Sequence, residues 1–222
     1  LRMRPGEEVG VFDGSGVQWT IKLDDVSGRS AEGHILDVTR PSTEPGIEIT
    51  LYQSLIDAAQ FEIVLQKGVE LGVKHFVPLL TERVAGAGAT GASESRQARW
   101  ARILQEAAEQ SGRVYVPDVA APVALDDAFG EPPADLFIVP WEGEISLSLH
   151  DALRTQKTGL EDAVSIVIGP KGGLTETEIG YLRERGALSV TLGSRILRAE
   201  TAAIATVSAV MYELGELGGS GS

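Results

Sequence analysis

Two stretches in the last quarter of the chain share one grammar: an apolar strand, a glycine turn, then a helix. They are Ile168–Ile179 (IGPKGGLTETEI) and Val190–Ala202 (VTLGSRILRAETA). A chain that alternates strands and helices in this way folds as a mainly parallel sheet covered by helices. Open sheets of that class bind ligands in the crevice outside the carboxyl ends of their strands. Two glycine turns from one sheet can line a single such crevice. The second turn also carries Arg195, Arg198, Glu200 and Thr201, a set too polar for packing alone. The candidate active site is placed here.

The same alternation begins at Ile47. Ile47–Gln53 reads as a strand. Phe61–Leu71 reads as a helix with Phe61, Val64, Leu65 and Leu71 on one face, stopped by Gly72. His75–Leu80 is strand-like, and Val84–Ser95, rich in Gly, Ala and Ser, reads as a mobile loop. Ser93 caps a helix to Gln110 with Trp100, Ile103, Leu104, Ala107 and Ala108 inward. Strands follow at Val114–Pro117, Leu136–Pro140 and Val164–Ile168, with a helix near Leu147–Leu153. The closing elements are a helix Glu176–Arg185, a strand Ser189–Leu192 and an almost wholly apolar helix Thr201–Leu214. Residues 218–222 read as a disordered tail.

Residues 1–46 differ. Val9–Phe12, the turn Asp13–Gly16 and the alternating Val17–Leu23 form a hairpin signal, and Ala31–Val38 adds a strand after a turn at Ser27. This is the pattern of a small β-barrel or part of one. The chain opens directly in a strand–turn unit, so an N-terminal strand or two is expected to be missing. The expected domains are therefore 1–46 and 47–217.

Composition narrows the function classes. The 222 residues carry a net charge of −13, with 5 Lys/Arg against 9 Asp/Glu in residues 1–50 and 14 against 23 beyond them. That argues against a generic nucleic-acid binder with a basic face. An RNA contact would have to be local, through clustered arginines. Without cysteine there is neither a disulfide framework nor a thiolate metal site, and His34, His75 and His150 lack metal-ligand spacing. No metal and no membrane segment is expected, and the start carries no secretory signal. A cytoplasmic location is expected.

Thr175-Glu-Thr-Glu178 fits a capping box. Ahead of it, Gly169–Gly173 turns backbone amides outward at a helix N-terminus, although a tight turn alone accounts for its glycines. It is not a phosphate-binding Walker loop, since no Gly-Lys-Ser/Thr follows. Arg96, Arg99 and Arg102 form a helical stripe, more often a solvated face than a site. Glu109–Arg113 closes a helix with an arginine suited to an anion or a partner subunit. Trp141-Glu142 ends a strand and either lines the crevice or packs in the core. Ser/His/Asp hydrolase chemistry has little support, because no histidine sits in a motif.

Four ordered motifs span nearly the whole chain: Gln66–Val73 (QKGVELGV), Glu106–Arg113 (EAAEQSGR), Ile168–Gly173 (IGPKGG) and Leu192–Ala202 (LGSRILRAETA), with Leu1–Val9 (LRMRPGEEV) at the start. In them the sequence resembles the RsmE family, the 16S ribosomal RNA (uracil-N3)-methyltransferases of the SPOUT superfamily. The resemblance implies a PUA-like barrel that helps hold RNA and an α/β domain whose last segments thread a trefoil knot. It implies a homodimer, S-adenosyl-L-methionine bound in the knot, and a site completed across the dimer interface. The partner substrate is ribosomal RNA, or the small ribosomal subunit.

Residue by residue, the resemblance carries over as follows. The first glycine turn (Ile168, Gly169, Pro170, Gly172, Gly173) and the second (Leu192, Gly193, Ile196, Leu197, Arg198, Thr201) hold the cofactor, with Leu79, Pro140 and Trp141 as further walls. Arg198 is the first choice to stabilise the uracil imide anion. Glu200 orients it or relays the proton, and Arg113 of the partner subunit is a second candidate. Arg2, Arg4, Arg96, Arg99 and Arg195 are the expected RNA contacts.

Three departures stand out. Lys171 occupies a position where the family usually has Glu. Ser54–Gln60 lacks the basic residues common in the family's corresponding segment. The early part of the barrel, with the basic and histidine residues of the family, is expected to be missing. Two alternatives to a uracil-N3 enzyme follow: a non-catalytic RNA-binding or ribosome-assembly factor of the same fold, or a SPOUT methyltransferase with another RNA target. Retention of Arg198 and Glu200 argues against the non-catalytic reading.

Overall fold

The computed structural model describes residues 3–41, 43–85, 94–129, 134–156 and 163–218. Arg2, Ser93, most of the Val84–Ser95 loop and nearly all of the C-terminal tail lie outside the described residues. The chain divides into two compact units, Leu1–Glu44 with Ala108–Val116, and Pro45–Ala107 with Pro117–Ser222.

In the first unit, β1 (Glu8–Phe12), β2 (Gln18–Val26) and β3 (Ala31–Thr39) form an antiparallel sheet in the order β1-β2-β3. Gly14 and Gly16 have φ of 86° and 85°, conformations that only glycine adopts without strain. They set the turn that pairs Phe12 with Gln18. Along β3 every residue is exposed, including Ile35 and Val38.

The expected strand Val114–Pro117 does not form. Pro117 has no amide to donate to a ladder, and Val114 instead accepts a single hydrogen bond from the Gly16 amide (3.2 Å) within the first unit. The ladder resumes one residue later, as β6 (Asp118–Val119).

The second unit is a parallel sheet built from β4 (Glu48–Ser54), β5 (His75–Leu80), β6, β7 (Val123–Ala124), β8 (Leu136–Pro140), β9 (Ala163–Ile168) and β10 (Leu188–Val190). Its order is β10-β8-β9-β4-β5-β6, with β7 also on β5. Every pairing in it is parallel. The central strands read as near-continuous apolar runs because both faces are covered. Leu136–Val139 and Val164–Ile168 are almost wholly buried.

The helices are α1 (Ala58–Glu70), a single turn α2 (Glu82–Ala85), α3 (Glu94–Ser111), α4 (Leu149–Gln156), α5 (Glu176–Glu184) and α6 (Ala199–Glu213). Phe61, Val64, Leu65 and Val69 bury one face of α1. Gly68 lets that face close on β5, since a Cβ there would stand 2.6 Å from the Phe76 ring. α6 packs against α1, β9 and α4. Ala203, Val207, Val210 and Met211 are its buried face. A second core cluster under α5 gathers Tyr52, Leu79, Phe129, Phe137, Val167, Ile179 and Leu182. Among the described residues no helix is long and apolar enough to cross a membrane.

Candidate active site

Strands β10, β8 and β9 are parallel neighbours, with β9 next to β4, so the segments that follow them leave from one edge of the sheet. Each is held by its own short contacts. After β9, Gly173 donates its amide to Pro170 O (2.9 Å) with φ of 72°. A Cβ on Gly173 would overlap the Glu142 carboxylate, so this turn and the segment after β8 touch through a position that tolerates no side chain. The expected capping box is present: Glu178 N donates to Thr175 Oγ1 (3.2 Å) and Thr175 N to Glu178 Oε2 (2.8 Å). The other oxygen of Glu178 accepts from Glu82 N (2.8 Å). This one buried carboxylate therefore ties the segment after β5 to the turn after β9.

The segment after β8 is fixed by Glu144. Its carboxylate accepts from Ser189 Oγ (2.6 Å), Ser146 N (2.8 Å) and Arg183 Nη2 (2.9 Å). These hydrogen bonds, Ser189 foremost, hold its pKa at about 2, below the ordinary 4.5. Trp141 donates through Nε1 to Leu174 O (3.3 Å), and Arg183 lies 5.6 Å from its ring centroid. After β10, Thr191 donates its amide to Leu147 O (2.8 Å) and accepts from Leu149 N (3.1 Å).

Two cavities open among these segments. The first, about 520 Å³, lies between the segment 140–145 and Thr191–Leu197. The second, about 600 Å³, lies between Ile168–Leu174 and Ile196–Glu200. They share Pro140, Glu142, Ile196, Leu197 and Ala202. The larger therefore brings Arg198 and Glu200 to the glycine turn Gly169–Gly173, while Arg195 belongs to the smaller.

Most of the residues singled out in the sequence meet here. Pro140, Trp141, Leu192 and Gly193 line the first cavity; Ile168, Gly169, Pro170, Gly172 and Gly173 line the second. Two do not. Leu79 is wholly buried in the core cluster beneath the sheet edge, and Thr201 is exposed on the first turn of α6. Neither lines either of these two cavities.

The arginines separate. Arg198 is exposed, and among the described residues it makes no ion pair. Arg113 sits in the first unit, 5% exposed, with Nη2 2.6 Å from Glu44 Oε2. Arg4 is exposed in the first unit, Arg96 is exposed on α3, and Arg99 pairs with Glu62. Lys171 pairs with Asp57. Two unusual features of the sequence thus meet: the cation in the glycine turn finds its counter-ion in the Ser54–Gln60 segment that lacks basic residues. Sequence reasoning missed Glu144 and Gln60. Both follow the carboxyl end of an apolar strand, and that position was the available signal.

A parallel sheet whose glycine-turn cavities lie at its carboxyl edge is the setting of an RNA methyltransferase domain, and the model of that family matches residues 43–211. The chain is 33% identical to ribosomal RNA small subunit methyltransferase E of Synechocystis sp., over 95% of this chain and 69% of that protein. With the Bacillus subtilis protein of the same name it shares 30% identity, over 96% and 84%. The crystal structure of ribosomal RNA small subunit methyltransferase E from Neisseria gonorrhoeae, bound to S-adenosyl methionine, superposes with a TM-score of 0.81 at 34% identity, covering 95% and 85% of the two chains. The chain belongs to the ribosomal RNA small subunit methyltransferase E family.

Proposed function

We propose that this protein transfers a methyl group from S-adenosyl-L-methionine to N3 of a specific uridine in small-subunit (16S) ribosomal RNA. The observation that carries this reading is the joined pair of cavities, in which Arg198 and Glu200 share the second with the glycine turn Gly169–Gly173, and Pro140, Ile196 and Leu197 are common to both. The residues present suit the cofactor. A Cβ on Gly193 would meet nothing within 4 Å, and its φ is 102°, so a ring can approach the backbone closely there. Pro140, Ile196 and Leu197 offer apolar faces to a purine. The Glu142 carboxylate, common to both cavities, suits a ligand carrying sulfonium and ammonium charge.

When bound, S-adenosyl-L-methionine supplies a methyl group already activated by its sulfonium centre. The protein's own task is then chiefly orientation. Uracil N3 is a poor nucleophile until its proton leaves. Arg198, at the N-terminus of α6, stabilises the resulting imide anion. Glu200, in the first turn of α6 and lining the same cavity, orients the guanidinium or takes the N3 proton, and Arg113 of the partner subunit is the second candidate cation. Replacing Arg198 by Ala lowers the transfer rate roughly 10²–10³-fold while cofactor affinity, measured by calorimetry, stays within about threefold.

The finer architecture belongs to the same reading. The stretch after β10 is threaded as a trefoil knot, an exception to the rule that chains avoid knots. Pairing of Thr191 with Leu147 and Leu149, followed by α6 against α1 and β9, supports this. The exposed three-stranded sheet is part of a PUA-like RNA-holding domain, the protein works as a homodimer, and its substrate places it in the cytoplasm. The decisive experiment incubates the protein with labelled S-adenosyl-L-methionine and undermethylated small ribosomal subunits, and identifies the modified base by mass spectrometry. Methylation at uracil N3 is the expected result. Cofactor binding without transfer would favour a non-catalytic assembly factor, and a methyl on another atom would favour a different RNA target.

A further inference from the structure

Beside the second cavity lies a third, of about 910 Å³, which shares Pro170, Lys171 and Gly172 with it. Its inner wall is apolar, with Leu55, Ile56, Phe61 and Trp100. Trp100 is 3% exposed and packs against Phe61 with 4.8 Å between ring centroids, the planes tilted by 37°. Its rim is cationic. Arg83, Arg96, Arg99 and Lys171 line it, four of the chain's 19 lysines and arginines, against Asp57 and Glu62.

Two of those cations are neutralised locally, Arg99 by Glu62 and Lys171 by Asp57. Arg83 donates to the Gly172 carbonyl, which orients the guanidinium without cancelling its charge. Arg96 is exposed and makes no ion pair among the described residues. The cavity is therefore positive in a chain whose net charge is −13. The other two are not: the first sets Arg195 against Glu142 and Glu144, the second Lys171 and Arg198 against Glu142 and Glu200.

Resting on the proposed methyl transfer to RNA, the geometry points to this third cavity as the subsite for the nucleotide next to the methylated uridine. Its base lies on the apolar wall and its phosphate at Arg96 and Arg83. Surfaces for single-stranded RNA combine apolar or aromatic platforms with cations that track the backbone. The shared wall Pro170–Gly172 puts the subsite directly beside the cavity that holds Arg198. An adjoining nucleotide can fill it only if the target uridine is part of a chain, so the protein selects a polynucleotide over a free nucleotide.

Fluorescence anisotropy with the cofactor present tests this, using a five-nucleotide single-stranded RNA centred on uridine, with uridine monophosphate as competitor. Two variants act differently on the cavity: Arg96→Glu reverses a rim charge and Ala59→Trp fills the opening. Each weakens binding of the five-mer about tenfold, and Arg96→Glu reduces the slope of log affinity against log salt by about 1. Uridine monophosphate binding and cofactor affinity stay within about twofold, which also reports that the variants fold. Five-mer affinity unchanged in both variants overturns the subsite. The reading of the reaction fails separately, if the unmodified protein binds the five-mer and the cofactor yet transfers no methyl group to ribosomal subunits.

Discussion

Glu144 and Arg113 show how much a single side chain can carry away from the reacting atoms. Glu144 holds the segment after β8 with two backbone amides, Ser189 and Arg183. Its folded pKa of about 2 lies below the ordinary 4.5. The stability it contributes is thus present above pH 4.5 and is lost as the pH falls toward 2. Replacing it with Gln costs roughly 1–2 kcal/mol at neutral pH and narrows the gap in melting temperature between pH 7 and pH 3. Arg113 is buried against Glu44 (2.6 Å). Its replacement by Ala leaves the partly exposed Glu44 carboxylate (29%) without this partner and destabilises the protein by about 1–3 kcal/mol in urea unfolding. Any loss of activity in that variant therefore has to be read beside its stability. The sequence shows Arg113 as an arginine closing a polar run, but its counter-ion lies 69 positions away, beyond any local pattern. Lys171 is the same case. It looks like a reversed charge in the motif, and only the fold brings Asp57 to it.

At the scale of elements, most of the fold is legible because periodicity and turn chemistry agree. The apolar runs that became β8 and β9, the capping box at Thr175 and Glu178, and the inward face Trp100, Leu104, Ala107 and Ala108 of α3 all follow from local rules. Val114–Pro117 misleads for a physical reason: its apolar alternation looks like a strand, while Pro117 removes a ladder donor. Leu79 was expected at the site as an apolar wall that the family resemblance implies. Its side chain points to the face covered by α5, and one residue of register decides which face a strand side chain takes. A tight joint between elements is Gly68 of α1 against Phe76 of β5. Gly68→Ala puts a methyl into that ring and lowers stability by about 1–3 kcal/mol, measured by urea denaturation, despite the better helix propensity of alanine.

Over the whole molecule, the candidate site draws on residues from Gln60 to Ala202, and its two cavities share a wall made late in the chain. The backbone pairing of Thr191 with Leu147 and Leu149 has a consequence in time as well as in space. The first cavity has only one side until the stretch beyond β10 is laid against the segment after β8. Long-range pairings of this kind close slowly, because chain entropy is spent before they form. Binding competence is therefore among the last properties that a refolding chain acquires. In a stopped-flow experiment, recovery of cofactor affinity should follow the slowest phase, after helical circular dichroism has returned; affinity that recovers with the helices would contradict this order. A newly made copy would then stay inactive until the stretch beyond β10 is in place, and possession of the ligand would mark a completed site.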